Sequence, residues 1–294
     1  MSPDAALALC RFLHDASAML VWGGFGYLAW LVPRDLADAV GRRLRIPGIL
    51  AIGVAAATVL TALPVEAAQI GEGWRDAIDL GTLHDVLFET TVGSAWTVQA
   101  VCALLLVVSA MFARQARRTA VAATSGLLLA SLALAGHAVM QAGTQGFAHI
   151  ANDALHVLAG GAWLGALVPL LPILAALDDP RCRTEASVAL RRFSNAGHVA
   201  VGVVLVSGLI NTLLVLGHLP LDWSSPYQAL LAAKTALVAL MTGLAVANRY
   251  VFVPRLKRRR PEMTTALRIA TIAEIALGLL AIGAVSMFGV MEPV

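Results

Sequence analysis

The stretch HIANDALHVLAGGAWLGALVPLLP, residues 149–172, begins with two histidines and one aspartate and then continues without a charge. An uncharged run of about 20 residues is long enough to cross a bilayer as a helix. This run is rich in glycine, alanine and leucine, and it lacks the alternation of polar and apolar residues that marks a strand of a membrane β-barrel. It therefore predicts a membrane-spanning helix with polar side chains at its N-terminal end.

Similar uncharged runs recur along the whole chain of 294 residues, which is 59% hydrophobic and 13% charged. Soluble domains carry about 25% charged residues, so this composition indicates an integral membrane protein. We predict a single all-α membrane domain with eight transmembrane helices. Their starts lie near Ala5, Pro47, Ser94, Ala120, Ile150, Phe193, Tyr227 and Ala266.

Lysines and arginines collect in the loops that follow the first, third, fifth and seventh predicted helices. These loops are residues 34–45, 114–118, 181–192 and 249–260. Short loops rich in Lys and Arg stay on the cytoplasmic side, so we expect both chain termini to lie outside. The net charge of +3 then reflects membrane topology, and we expect no nucleic-acid partner.

The two halves of the chain resemble each other. Residues 13–33 and residues 155–172 both contain Leu-His followed by a tryptophan and a glycine, and residues 42–60 resemble residues 191–209. With four helices in each half, both repeats enter the membrane from the same side, as parallel repeats do. The competing interpretation is that helices rich in glycine, alanine and leucine always look alike.

The repeat predicts two four-helix halves, residues 1–145 and residues 146–294, related by an axis normal to the membrane. Residues at corresponding positions of the halves should then lie at the same depth. The corresponding pairs are His14 with His156 and Met140 with Met287.

The histidines are distributed unevenly between the two predicted membrane faces. Only His198 falls on the arginine-rich face, whereas the other six fall on the outer face. Those six are His14, His84, His137, His149, His156 and His218. Because imidazole is a poor group for lipid contact and a common ligand of transition metals, this distribution indicates that the outer face handles a metal or a haem.

The strongest local signal is the spacing of His149, Asp153 and His156. At about 100° per residue, the three side chains fall within about 60° of one another on one helix face. They could converge on one cation, or Asp153 could orient a histidine ligand. Alternatively, His149 lies in the outer loop and Asp153 only favours the helix N-terminus through the helix dipole.

A second pair of candidate ligands, His137 and Met140, lies one turn apart at the outer end of the fourth predicted helix. Imidazole with thioether suits copper, especially Cu(I), although a methionine in an apolar helix is usually a packing residue. His14 and Met287 join the candidate ligands through the repeat. The oxidation state stays open, because His with Asp tolerates Cu(II) while His with Met favours Cu(I).

Three polar residues fall inside predicted spans, namely Asn211, Lys234 and Glu274. Such residues are costly in a bilayer unless they pair or line a polar path. Lys234 could neutralise either Asp153 or Glu274. We keep both interpretations, a structural ion pair and a pathway for protons or ions.

With these residues in place, the chain resembles the CopD/PcoD copper-resistance membrane proteins. The resemblance rests on polar and small residues in a fixed order. They are Gly136-His137-Ala138, Asn152-Asp153, His156, Trp163, Gly165, Phe193-Ser194, Gly208, Asn211, Tyr227, Lys234 and Asn248-Arg249. It implies a bacterial inner-membrane protein of copper homeostasis, not an enzyme, that moves copper from the periplasm toward the cytoplasm. It also implies outer histidines that bind copper and a separate periplasmic partner similar to CopC.

Two alternative functions remain compatible with the same residues. The first is a b-type haem protein that exchanges electrons with quinone, with His14 and His156, or His137 and His156, as axial ligands. The second is a membrane sensor or docking platform that binds metal at the outer face without transporting it.

Overall fold

The computed structural model describes residues 1–135, 143–256 and 260–291, and this part of the chain is helical without any strand. Eleven α-helices follow one another, several of them extended by a short 3₁₀ or π turn. They are α1 (Pro3–Gly26), α2 (Arg34–Arg43), α3 (Arg45–Ile70), α4 (Leu80–Glu89), α5 (Thr91–Ser109), α6 (Arg114–Ala130), α7 (Gly143–Ala176), α8 (Arg183–Leu216), α9 (Pro226–Ala247), α10 (Val253–Arg255) and α11 (Arg260–Phe288).

Seven of the helices in the described ranges are long and apolar enough to cross a membrane. They are Pro3–Leu31, Arg45–Ile70, Thr91–Ser109, Gly143–Ala176, Arg183–Leu216, Pro226–Arg255 and Pro261–Phe288. The remaining predicted span, which starts near Ala120, falls in α6, a helix of 17 residues followed by the 3₁₀ turn Ser131–Leu134. An eighth crossing, the parallel repeat and the orientation of the termini stay predictions.

The loop that we expected after the first span is partly helical. In α2 the apolar side chains of Leu36, Ala37 and Val40 are buried, while the charged residues occupy the other faces. Such an amphipathic helix is suited to the boundary between lipid and water. A bend at Leu44 separates α2 from α3.

Helices α1 and α7 cross at the centre of the bundle, where their main chains touch. A Cβ atom at Gly165 would overlap the Met19 carbonyl, and one at Gly23 would overlap the Gly161 carbonyl. Small residues of this kind let membrane helices approach closely. The Trp22 indole donates to the Leu158 carbonyl at 2.8 Å and fixes the same contact. The crossing brings together the two helices that carry His14 and His156.

Around this central pair, α3 and α6 pack against α1, and α8 and α11 pack against α7, with α9 against α11. Helix α7 begins at Gly143, earlier than the predicted start near Ile150. His149 therefore lies inside the helix and Asp153 lies beyond its first turn. The interpretation that placed His149 in a loop and Asp153 at the helix N-terminus is wrong.

Candidate functional site

A cavity of about 380 Å³ lies between α1, α3, α7, α8, α9 and α11. We call it the histidine cavity. It brings together six of the residues that the sequence singled out. They are His14, His149, Asp153, His156, Asn211 and Lys234.

His14 is 5% exposed and lies with its Nδ1 3.0 Å from the Thr58 hydroxyl. The carbonyls of Val54 and Ala55, both at 2.9 Å, accept from that hydroxyl. We therefore assign the His14 ring as the donor to the hydroxyl oxygen, with the Ala55 carbonyl as a second acceptor for the ring. In this assignment the ring proton is on Nδ1 and the lone pair is on Nε2. Nε2 is buried and has no hydrogen-bond partner among the described residues.

His156 in α7 is held in the same way. Its Nδ1 lies 2.9 Å from the Ser207 hydroxyl, which donates to the Val203 carbonyl at 2.5 Å and so accepts from the ring. The Val204 carbonyl accepts from the same ring. By the same assignment the lone pair of His156 is on Nε2, the tautomer that a metal ligand requires when its other nitrogen is hydrogen-bonded.

His149, on the same helix as His156, is 2% exposed, and its Nδ1 is buried without a hydrogen-bond partner in the described part of the chain. Two histidines of the cavity thus each carry a buried ring nitrogen without a hydrogen-bond partner among the described residues. An unsatisfied buried polar group costs about 1–3 kcal/mol, which a bound ligand would recover.

Asp153 belongs to a hydrogen-bonded network that joins α7 to α8. It accepts from the Asn211 amide at 2.8 Å, and the Asn211 carbonyl accepts from Asn152 at 2.6 Å. Asn152 also donates to the Ser207 carbonyl at 3.0 Å. Ser207 is the same residue whose hydroxyl contacts the His156 ring. Asn211 therefore acts as a bridge inside the membrane, with both ends of its amide satisfied.

Charges of both signs face the histidine cavity. Asp153 interacts electrostatically with Lys234 and with Asp15. Lys234 also lies with its ammonium 5.9 Å from the centre of the Phe288 ring. We expected either Asp153 or Glu274 to neutralise Lys234. Asp153 lines the same cavity as Lys234, whereas Glu274 does not.

Glu274 lines a second cavity of about 120 Å³, which we call the inner cavity. Its carboxylate is 2% exposed and accepts hydrogen bonds from the Asn248 amide at 2.6 Å and from the Trp163 indole. The side-chain oxygen of Asn248, Oδ1, is buried and has no hydrogen-bond partner within the described ranges. Trp163 lines both cavities and so separates them. His198 also lines the inner cavity.

One predicted ligand in the described residues is not brought to the histidine cavity. Met287 is 52% exposed and absent from the described residues that line the cavity. His84, another histidine of the predicted outer face, is exposed beside Asp85, at 3.4 Å. His137 and Met140 lie outside the described residues. Within the described ranges, no three or more His, Cys, Asp or Glu side chains converge closely enough to hold a metal ion.

The cavity also contains sulfur donors that the sequence analysis did not assign. Cys10, Met19 and Met241 line it, and the Cys10 thiol donates to the Thr58 carbonyl at 3.3 Å. The sequence places two of these donors near a candidate ligand. Cys10 lies about one helical turn before His14, and Met19 follows His14 on the same helix.

Two acids outside the spans keep negative charge on the histidine-rich side. Hydrogen bonds from the backbone and side chain of Thr82 lower the pKa of Asp79, and bonds from Ser224 lower the pKa of Asp222. Both carboxylates are therefore ionised at neutral pH and contribute to a field that attracts cations.

Two family models match the chain in succession. Residues 1–147 match "Copper resistance protein D-like, N-terminal domain", and residues 187–288 match "Copper resistance protein D". No solved structure matches the chain significantly.

Three curated relatives are similar over most of this chain. The inner membrane protein YebZ of Escherichia coli is 35% identical over 96% of this chain and 97% of its own length. Copper resistance protein D of Pseudomonas syringae pv. tomato is 30% identical over 82% of this chain and 81% of its own. The copper transport protein CutJ of Bacillus subtilis is 31% identical over 91% of this chain and 49% of its own. None of these names lends support to the haem alternative.

Proposed function

Since the chain belongs to the copper resistance protein D family, we propose that it binds copper in the histidine cavity and moves it across the bacterial inner membrane. The direction is from the histidine-rich face, which faces the periplasm together with both termini, toward the arginine-rich face. Copper is the cargo of this protein and not a resident cofactor.

The observation that carries the proposal is a pair of buried imidazole nitrogens without a hydrogen-bond partner among the described residues, His14 Nε2 and His149 Nδ1. Both line one cavity, together with His156, whose lone pair we assign to Nε2. Proteins rarely leave buried polar nitrogens without a hydrogen-bond partner. A metal ion satisfies them directly, because neutral imidazole is its ligand.

The donor types of the cavity favour copper over hard cations. Imidazole nitrogens combine here with the thioethers of Met19 and Met241 and with the thiol of Cys10. Soft sulfur donors and imidazole select copper, whereas Mg²⁺ and Ca²⁺ require sets of oxygen ligands. His137, Met140 and Met287 remain proposed donors that could contribute at the entrance.

A route for the cargo continues from the histidine cavity to the inner cavity. Trp163 stands between the two, and its indole is held by Glu274 on the inner side. Release of that hydrogen bond would let the ring move and connect the cavities. Asn248, Glu274 and His198 would then receive the ion. Lys234 would balance the charge of the outer site, and Asn211 would hold the Asp153 carboxylate in place.

A separate periplasmic protein similar to CopC is the proposed donor of copper. The acidic residues of the histidine-rich side, such as Asp79 and Asp222, would attract a metal-loaded partner or the free cation.

The test is copper uptake into proteoliposomes, with copper binding measured on the same preparation. We expect the double variant His14→Ala/His156→Ala to lose both binding and uptake, and the exposed control His84→Ala to retain both. Unchanged copper binding in the double variant would contradict the site. Full binding by the parent protein without any uptake would instead favour the sensor or docking platform.

A further inference from the structure

A third cavity lies on the arginine-rich side and shares no lining residue with the two cavities described above. It measures about 660 Å³, within the range of about 300–1,000 Å³ that is usual for ligand pockets. Four arginines and one aspartate line it, which gives these groups a formal charge of +3. They are Arg42, Arg45, Arg117, Arg118 and Asp38. We call this cavity the basic cleft.

The basic cleft is constructed from three helix ends. Arg42 is near the end of α2, Arg45 begins α3, and Arg117 lies in the first turns of α6. Arg118 pairs with Asp38, and Gly41 leaves room for its guanidinium, since a Cβ there would lie 3.3 Å from Nη2. The other three arginines have no such acid among the described residues that line the cleft, so the cleft has an excess of positive charge.

The rest of the lining is apolar, with Leu20, Phe25, Leu28 and Val168 among its side chains. The cleft also reaches the lipid-facing surface, because Ile49 lines it and is 57% exposed. A soluble anion would leave these apolar walls without a partner. An anion attached to a hydrocarbon chain would satisfy both parts of the lining.

We propose that the basic cleft binds an anionic phospholipid of the arginine-rich leaflet, with the phosphate among Arg42, Arg45 and Arg117 and an acyl chain along the apolar wall. Basic pockets between transmembrane helices on the cytoplasmic side bind anionic headgroups in this way. The lipid would join α2, α3 and α6, which meet there through few direct charge contacts. This site is independent of the copper site.

The test uses the full chain, delipidated in detergent and returned to mixed micelles of equal phosphatidylglycerol and phosphatidylcholine. Native mass spectrometry then measures which lipid stays bound. We expect phosphatidylglycerol to be retained in preference, and Arg42→Gln/Arg117→Gln to weaken its binding by about 25-fold, or about five-fold per arginine. The matched control is Arg34→Gln/Arg43→Gln, which removes the same charge from exposed positions of α2 outside the cleft.

Three results would overturn the proposal. The first is equal retention of the two lipids by the parent protein, and the second is an equal loss in the control variant. The third is displacement of phosphatidylglycerol by soluble glycerol phosphate, which would identify a site for a free phosphate. Should the arginine variant fail to fold, Ile49→Trp fills the apolar wall without changing a charge, and it must also weaken lipid retention.

Discussion

Removal of the Thr58 and Ser207 hydroxyls tests whether the protein orients His14 and His156 as ligands. Thr58→Val keeps the size of the side chain and removes only the acceptor for the His14 ring, and Ser207→Ala does the same for His156. Loss of a supporting hydrogen bond to a metal-binding histidine costs about 10–100-fold in metal affinity. Because the Ala55 carbonyl still accepts from the His14 ring, we expect the lower end, about ten-fold for each variant.

If both histidines bind one ion, the double variant should lose about 100-fold in copper affinity. The assay is a competition titration of the purified protein against a copper chelator of known affinity. Ser125→Ala is the control, because its buried hydroxyl makes the same kind of bond, to Val121 at 2.6 Å, away from the cavity. A double variant that binds copper as tightly as the parent would refute the assignment of the two nitrogens.

Three further predictions concern other parts of the molecule. Gly165→Ala should lower the free energy of unfolding by about 1–3 kcal/mol, because its Cβ overlaps the main chain of α1, whereas Gly197→Ala, with open space around it, should have little effect in thermal unfolding. Glu274→Gln should leave copper binding intact and lower uptake at least about ten-fold. Asn248 and Trp163 both donate hydrogen bonds to the carboxylate, and the NH2 group of a glutamine cannot accept one of them. Asp79→Ala should speed amide hydrogen exchange at the start of α4 at pH 7; because the pKa of Asp79 is lowered from 3.8, the difference should vanish as the pH falls through that lowered value.

The membrane-spanning helices could be predicted from the sequence because their length and lack of charge are required by the bilayer itself. Helix α2 was missed, since its charged residues resemble those of a topogenic loop and its three buried residues are too few for a periodic signal. The start of α7 was placed too late, because His149 and Asp153 are polar residues that we expected nearer the membrane surface. In the structure they face a cavity inside the bundle.

The candidate site was predictable only in part. The helical spacing indicated a common helix face for His149, Asp153 and His156, and these residues line one cavity together with His14. The repeat predicted only an equivalent depth for His14 and His156. The hydroxyls of Thr58 and Ser207 gave no signal, because such side chains in membrane helices commonly bond to their own backbone. They nevertheless hold the same place in residues 42–60 and 191–209, which supports the proposed repeat.

The contact of α1 with α7 has a mechanical consequence. With no side chain between the two backbones at Gly23 and Gly165, the helices cannot approach further there, so a tilt of one against the other would use this contact as its fulcrum. His14 and His156 each lie about nine residues from it, a lever arm of about 13 Å. A tilt of about 10° at the fulcrum would carry either histidine through about 2 Å, the length of a metal–nitrogen bond. A small rocking of α1 against α7 would therefore be sufficient to change the distance between the two imidazoles by the length of such a bond.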